Sequence, residues 1–324
     1  MKKNLFKYVK MFLPFIGIVI LALIIFNLNP AEIKKAFLSI KPIFIVISLS
    51  LTVPRILLRN YAWQCILKEQ KIKLGYFQSL KIFLIGYFYG ILTPGYIGNL
   101  MRIPYMKEKT DEPYGKLFVN VVIEPIIHTL TLYGMIFIGA LLVLEKFPEL
   151  LKLIIGWIII LAIILIYFIK KERGEKLFYT LIKYFIPKSK KGDFNRFVHT
   201  FYADFPKLSK LVLPLILGFF TWVIIFTQFY IFVLALDLPI PFIHFLLLFT
   251  VANVVSFIPI SFAGLGTREA TAFFIFPALY RVEGTQILVV SLMGFLVTDV
   301  FLGSVGFLLS LTEAREKVQI KAAD

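Results

Sequence analysis

The sequence predicts an all-α polytopic membrane protein, with about six full spans and two interrupted re-entrant helical hairpins in an inverted-repeat arrangement. Three observations point there. Hydrophobic residues make up 59% of the 324-residue chain, and several unbroken apolar runs reach the roughly 20 residues needed to cross about 30 Å of hydrocarbon. Basic residues collect between these runs rather than within them, as positive loops on one side of a membrane do. Two further apolar stretches are broken in a similar way by glycine and proline, "LTPGYIGNLMR" at 92–102 and "ISFAGLGTREATAFF" at 260–274.

The full spans fall at residues 11–28, 42–58, 117–144, 150–169, 211–236 and 287–311. The first follows a basic arm bearing Lys2, Lys3, Lys7 and Lys10 and ends in "NLNPAE" without a small-x-small cleavage site, so it reads as a retained helix rather than a signal peptide. That arm and the segment 170–210, with eleven Lys or Arg against four acids, are placed in the cytoplasm, and the acidic "EKFPE" loop is placed outside. Parity then requires 75–97 to begin and end inside, and 239–280 to begin and end outside. The first stretch dips in and returns, or crosses twice in two short pieces, and the second is its mirror image. This divides the chain into a membrane half at 1–169 with a broken hairpin at 75–101, a basic cytoplasmic linker at 170–210, and a second half at 211–324 with a broken hairpin at 239–280. Both termini are expected in the cytoplasm of a cell-membrane protein. Inverted repeats with interrupted helices are a recurring transporter design.

Composition excludes several functions. The formal net charge of +16 sits in loops and no basic residues alternate with exposed aromatics on a soluble module, so nucleic acid is not a partner. Cys65 is the single cysteine, which rules out an intrachain disulfide or a Cys-based metal cluster. His128, His199 and His244 lie in separate segments, there is no His-Glu-x-x-His helix, and no phosphate-binding Gly-x-x-x-x-Gly-Lys-Ser/Thr loop is present. No metal or other cofactor is expected.

The two interruptions carry the chemistry. Irregular backbone at membrane depth leaves polar groups unpaired and survives only where protein or a water-filled cavity satisfies it. Pro94, Gly95 and Gly98 break the first stretch; Pro259, Gly264 and Gly266 break the second. Beyond the second break a helix restarts, with Thr267 as expected N-cap and Glu269 in the first turn. Free amides at that end suit an anionic group such as a lipid phosphate, with Arg268 and Arg102 adding charge-assisted contacts. Glu124, inside a span, has His128 one turn on, so the two share a helix face and either relay protons or hold helices together. Pro125 is expected to kink that helix. Asp299 is a further intramembrane acid. Arg55, Arg59 and Trp63 read as interfacial anchors, and the basic linker is expected to lie on anionic lipid. The candidate substrate-binding residues are therefore Gly95, Gly98, Arg102, Glu124, Gly264, Gly266, Thr267, Arg268 and Glu269.

At these motifs the chain resembles the transmembrane region of the lysylphosphatidylglycerol synthase family, the flippase-like domain of the multiple peptide resistance factor proteins. Arg59 and Trp63 match an Arg-x-x-x-Trp helix end, "PGYIGNLMR" matches Pro-Gly-x-x-Gly-Glu-x-x-Arg, and "PISFAGLGTREA" matches Pro-x-x-x-x-Gly-x-Gly-x-x-Glu. Three positions depart from the pattern: Asn99 stands for an acid, Pro125 for an arginine after Glu124, and His128 for an aspartate. The resemblance implies a protein that binds or moves an anionic phospholipid or lipid-linked headgroup. The aminoacyl-transferring domain of longer members is not in these 324 residues, so lipid aminoacylation is not expected. Two alternatives are a membrane-embedded enzyme acting on lipid-linked phosphate or glycan, and a partner subunit of a lipid-modifying enzyme. A homo-oligomer is a further possible assembly.

Overall fold

The computed structural model describes residues 15–142, 206–257 and 260–323, together with 155, 156 and 159. The expected span at 150–169, most of the basic linker, Pro259 and His199 lie outside the described residues or nearly so. Among the described residues the chain is helical, its one β-type pairing being an isolated bridge.

Four helical stretches are long and apolar enough to cross a membrane: Pro42–Glu69, Tyr114–Gly139, Ser209–Ala235 and Gly284–Ala314. They correspond to four of the six expected spans. The first expected span, 11–28, is described only from residue 15; its start and the basic arm before it lie outside the described residues. Helix α1 (Ile16–Asn27) has 12 residues, a rise of about 18 Å, and the chain then bends by 97° into α2 (Pro30–Ser39). The bend has a local cause. Asn29 caps α2 by accepting from the Ala31 N–H at 3.0 Å, and Pro30 has no N–H to continue α1. The other end of α1 is held deep in the protein, where the Gly17 N–H donates to the Ile260 carbonyl at 3.0 Å. Together, α1 and α2 are long and apolar enough to form one bent span.

Helices α3 (Pro42–Ser50) and α4 (Thr52–Glu69) form the first long span. A helical hairpin follows. Its outgoing leg is α5 (Tyr76–Ile91), and the chain returns through a 3-10 turn (Ile97–Met101) and α6 (Arg102–Lys109). Helix α7 (Tyr114–Leu142) and α8 (Val212–Ala235) are long spans. The second hairpin pairs α9 (Phe242–Val255) with α10 (Thr267–Leu279). The last span is α11 (Gly284–Phe295), a π turn (Leu296–Val300) and α12 (Phe301–Ala323).

The largest core cluster packs α8 against α9, α10 and α11 through Phe226, Phe229, Phe232, Phe245, Phe249 and Phe276. Aromatic residues fill this space with large apolar area. The face turned outward is also apolar, as Val19, Leu23, Val46, Val53, Ile243 and Phe274 show, which suits contact with lipid rather than water. On the other side α12 closes on α5, where a Cβ at Gly306 would sit 2.1 Å from the Leu84 carbonyl oxygen. Such close backbone approach through small residues is how helices associate where lipid removes the hydrophobic driving force.

Candidate functional site

Both glycine breaks come to the same place. Pro94, at the tip of the first hairpin, forms an antiparallel bridge with Phe262, at the tip of the second. Each tip is built by backbone that few residues adopt. Gly95, Tyr96, Ala263, Gly264 and Gly266 all have positive φ. The first hairpin turns back tightly because Gly98 donates its N–H to Thr93 Oγ1 at 2.7 Å, and a Cβ there would lie 2.0 Å from the Tyr89 carbonyl oxygen. Gly266, at φ +90°, has no room for a side chain either: its Cβ would stand 1.7 Å from the Gly17 carbonyl oxygen.

The restart of α10 is organised differently from the sequence expectation. Gly266, not Thr267, is the N-cap. Thr267 Oγ1 instead donates to the Gly264 carbonyl at 3.1 Å, which stiffens the turn. Glu269 reaches back and accepts the Gly266 N–H at 2.6 Å. The helix end is thus already supplied with a carboxylate of its own, so attraction for a further anion falls to arginine side chains. Glu269 is fully enclosed and also accepts from Arg268 Nε at 3.0 Å, Arg268 Nη2 at 2.7 Å and Ser291 Oγ at 2.7 Å. The remaining Arg268 nitrogen, Nη1, faces Asp299 Oδ2 at the long distance of 3.9 Å.

Beside the paired tips lies a cavity of about 160 Å³. Gly95, Tyr96 and Asn99 reach it from the first hairpin; Asn253, Ser256, Phe257 and Arg268 reach it from the second. Arg55, Arg59, Tyr87, His128, Trp222 and Asp299 complete its polar and aromatic wall. Asp299 is presented by the π turn, a helix defect that often marks a functional site. It accepts from Tyr87 Oη at 2.6 Å. The same turn turns the Thr298 carbonyl toward Arg55, whose Nη1 donates to it at 3.2 Å.

Of the nine candidate residues, Gly95 and Arg268 line the cavity itself. Gly264, Gly266, Thr267 and Glu269 shape and charge the second tip, and Gly98 closes the first. Arg102 and Glu124 stand one layer behind. Arg102, 1% exposed, donates to Glu124 Oε2 at 2.9 Å and to Asn99 Oδ1 at 3.0 Å, and it stacks its guanidinium over Phe83 and Trp63. Glu124 accepts from Arg59 Nε at 3.0 Å through its other oxygen.

Two sequence expectations are corrected here. Glu124 is not paired with His128: it bridges Arg59 and Arg102, and His128 stacks on Trp222 with ring centroids 4.5 Å apart. The shared helix face is real, but two cations compete for the carboxylate and win. Nor are Arg55, Arg59 and Trp63 interfacial anchors. Arg55 is 3% exposed, Trp63 is wholly enclosed and donates to Asn120 Oδ1 at 2.7 Å, and Arg59 is ion-paired. The four-residue spacing of Arg55 and Arg59 on one apolar helix was the signal that these charges face inward together.

Long apolar helices around a cavity lined by buried charges between two broken hairpins define a multi-pass integral membrane protein. Comparison with known families agrees. The chain belongs to the family described as "Lysylphosphatidylglycerol synthase TM region", whose profile matches residues 14–306. No curated protein matches the chain.

Proposed function

We propose that the protein binds the anionic headgroup of a phospholipid, or of a lipid-linked intermediate, in the cavity between the hairpin tips and moves it from one leaflet to the other. One observation carries this reading: both glycine breaks meet at Pro94 and Phe262 and share a cavity walled by Arg55, Arg59 and Arg268. A headgroup would sit among these side chains while its acyl chains stay in the bilayer against the apolar outer face. Charges at membrane depth are expensive and are kept where they contact a substrate or one another. Motion of one hairpin tip against the other, at the single bridge between them, would open the cavity to either side. The inverted relation of the halves and the cytoplasmic placement of both termini in a cell membrane belong to the same proposal, as does the absence of enzymatic chemistry.

The test is transport of fluorescent phosphatidylglycerol across vesicles reconstituted with the purified protein. Faster transbilayer movement than in protein-free vesicles is expected, and its loss in an Arg268→Ala, Glu269→Ala double variant that remains monodisperse. Undiminished transport in that variant removes the site from the mechanism. A fixed co-purifying partner, with no transport by the chain alone, turns the reading toward a partner subunit.

A further inference from the structure

The charges around the cavity do not balance. Glu124 is shared by Arg59 and Arg102, and Arg268 is held by Glu269 with Asp299 further off. Among the described residues Arg55 has no carboxylate of its own. Its hydrogen bonds go to Gln228 Oε1, the Thr298 carbonyl and Tyr87 Oη, all neutral, at 3.2 to 3.3 Å. Among the described residues this connected cluster therefore sets Arg55, Arg59, Arg102 and Arg268 against Glu124, Glu269 and Asp299, with one positive charge in excess. A buried cation without a counterion is strongly unfavourable. Neutral acceptors and the nearby cavity soften that cost, and an anion in the cavity would remove it.

A second observation points to the same space. His128 lines the cavity and is 6% exposed, yet its Nε2 has no hydrogen-bond partner. Buried polar atoms are almost always satisfied. As a donor, this nitrogen suits an oxygen-rich anion beside Arg55.

We infer that the group accepted by this cavity brings one net negative charge, so that the protein selects a phosphodiester headgroup ending in an uncharged polyol or sugar over a zwitterionic one. The inference rests on the headgroup reading above and adds the charge class to it. A phosphodiester carries a single negative charge at neutral pH and cancels the excess on the cluster. An ammonium on the same headgroup restores that excess inside the cavity. Volume agrees, since about 160 Å³ is below the range of pockets that hold whole drug-sized molecules: it suits a headgroup and leaves acyl chains outside.

The experiment is calorimetric titration of the purified full chain in detergent with three probes: dihexanoylphosphatidylglycerol, dihexanoylphosphatidylethanolamine and inorganic phosphate. The glycerol lipid is expected to bind at least about tenfold more tightly than the ethanolamine lipid, since electrostatic complementarity acts mainly on specificity. Asn99→Asp supplies the missing negative charge at the cavity wall and keeps the oxygen that accepts from Arg102. In that variant the preference is expected to collapse to about twofold or less. Arg55→Gln, which deletes the excess charge itself, is expected to do the same. Equal affinity for both lipids in the wild type overturns the charge assignment and leaves the headgroup reading standing. No binding of either lipid overturns both. Phosphate binding as tightly as the glycerol lipid supports the charge assignment and overturns the lipid as its source.

Discussion

The Arg268–Glu269 pair gives the sharpest prediction. Arg268 is 2% exposed and Glu269 is fully enclosed, and the two are joined through Glu269 Oε1 by contacts of 2.7 and 3.0 Å. Arg268→Gln strands a carboxylate that retains only Gly266 N–H and Ser291 Oγ as donors. Glu269→Gln strands a guanidinium between Phe229 and Phe295, with Asp299 at 3.9 Å as the nearest counterion. Breaking a buried pair from one side costs about 3–5 kcal/mol. At about 2–4 °C per kcal/mol for chains of 150–250 residues, each single variant loses at least about 6 °C in thermal midpoint. Replacing both residues leaves two neutral amides of similar shape in mutual reach. The double variant therefore falls about as far as one single variant, which makes the coupling as large as one single loss, about 3–5 kcal/mol. The midpoint is read by intrinsic fluorescence on heating the four proteins in one detergent. A double variant whose loss equals the sum of the two single losses would refute the reasoning, because the charges would then not see each other.

Further outcomes follow from the same structure. Gly266→Ala, which places a Cβ against the Gly17 carbonyl at a φ of +90°, is expected to lower stability by more than about 2 kcal/mol, since the backbone strain alone is about 1–2 kcal/mol. Gly134→Ala, with no atom within 4 Å of the new Cβ, is expected to be neutral or stabilising by up to about 1 kcal/mol, and thermal unfolding of the two variants side by side checks the contrast. Asn120 accepts from Trp63 Nε1 and donates to Gln70 Oε1, both at 2.7 Å. Asn120→Ala is expected to cost about 1–3 kcal/mol through the orphaned indole N–H, with Asn120→Asp losing less, again by thermal midpoint. Glu313, 5% exposed, ties the last helix to Lys81 and Lys109. Glu313→Ala is expected to expose the end of α12 to limited proteolysis near its C-terminus, whereas the bundle core remains resistant.

How much of this was legible in the chain differs by feature. Membrane residence and the position of the long helices follow from run length and hydropathy, because a helix must bury its backbone polar groups within itself wherever lipid surrounds it. The breaks were legible too: Pro94, Gly95, Gly98, Gly264 and Gly266 are residues that interrupt helices whatever their surroundings. The partners of the charges were not legible. Glu124 and His128 are neighbours along α7, but Arg59 and Arg102 arrive from α4 and α6, and Coulomb attraction in a low dielectric prefers them. Arg55 reads as an anchor near a helix end until α8 and the π turn close over it.

The sequence by itself determined that this is a helical membrane protein with two broken hairpins, for hydropathy and backbone stereochemistry act locally. Only the tertiary structure decided that the hairpin tips touch at Pro94 and Phe262, and that Arg55 is left without a counterion among the described residues. These depend on groups between 32 and 243 positions apart in the chain, and electrostatic pairing answers to distance in space.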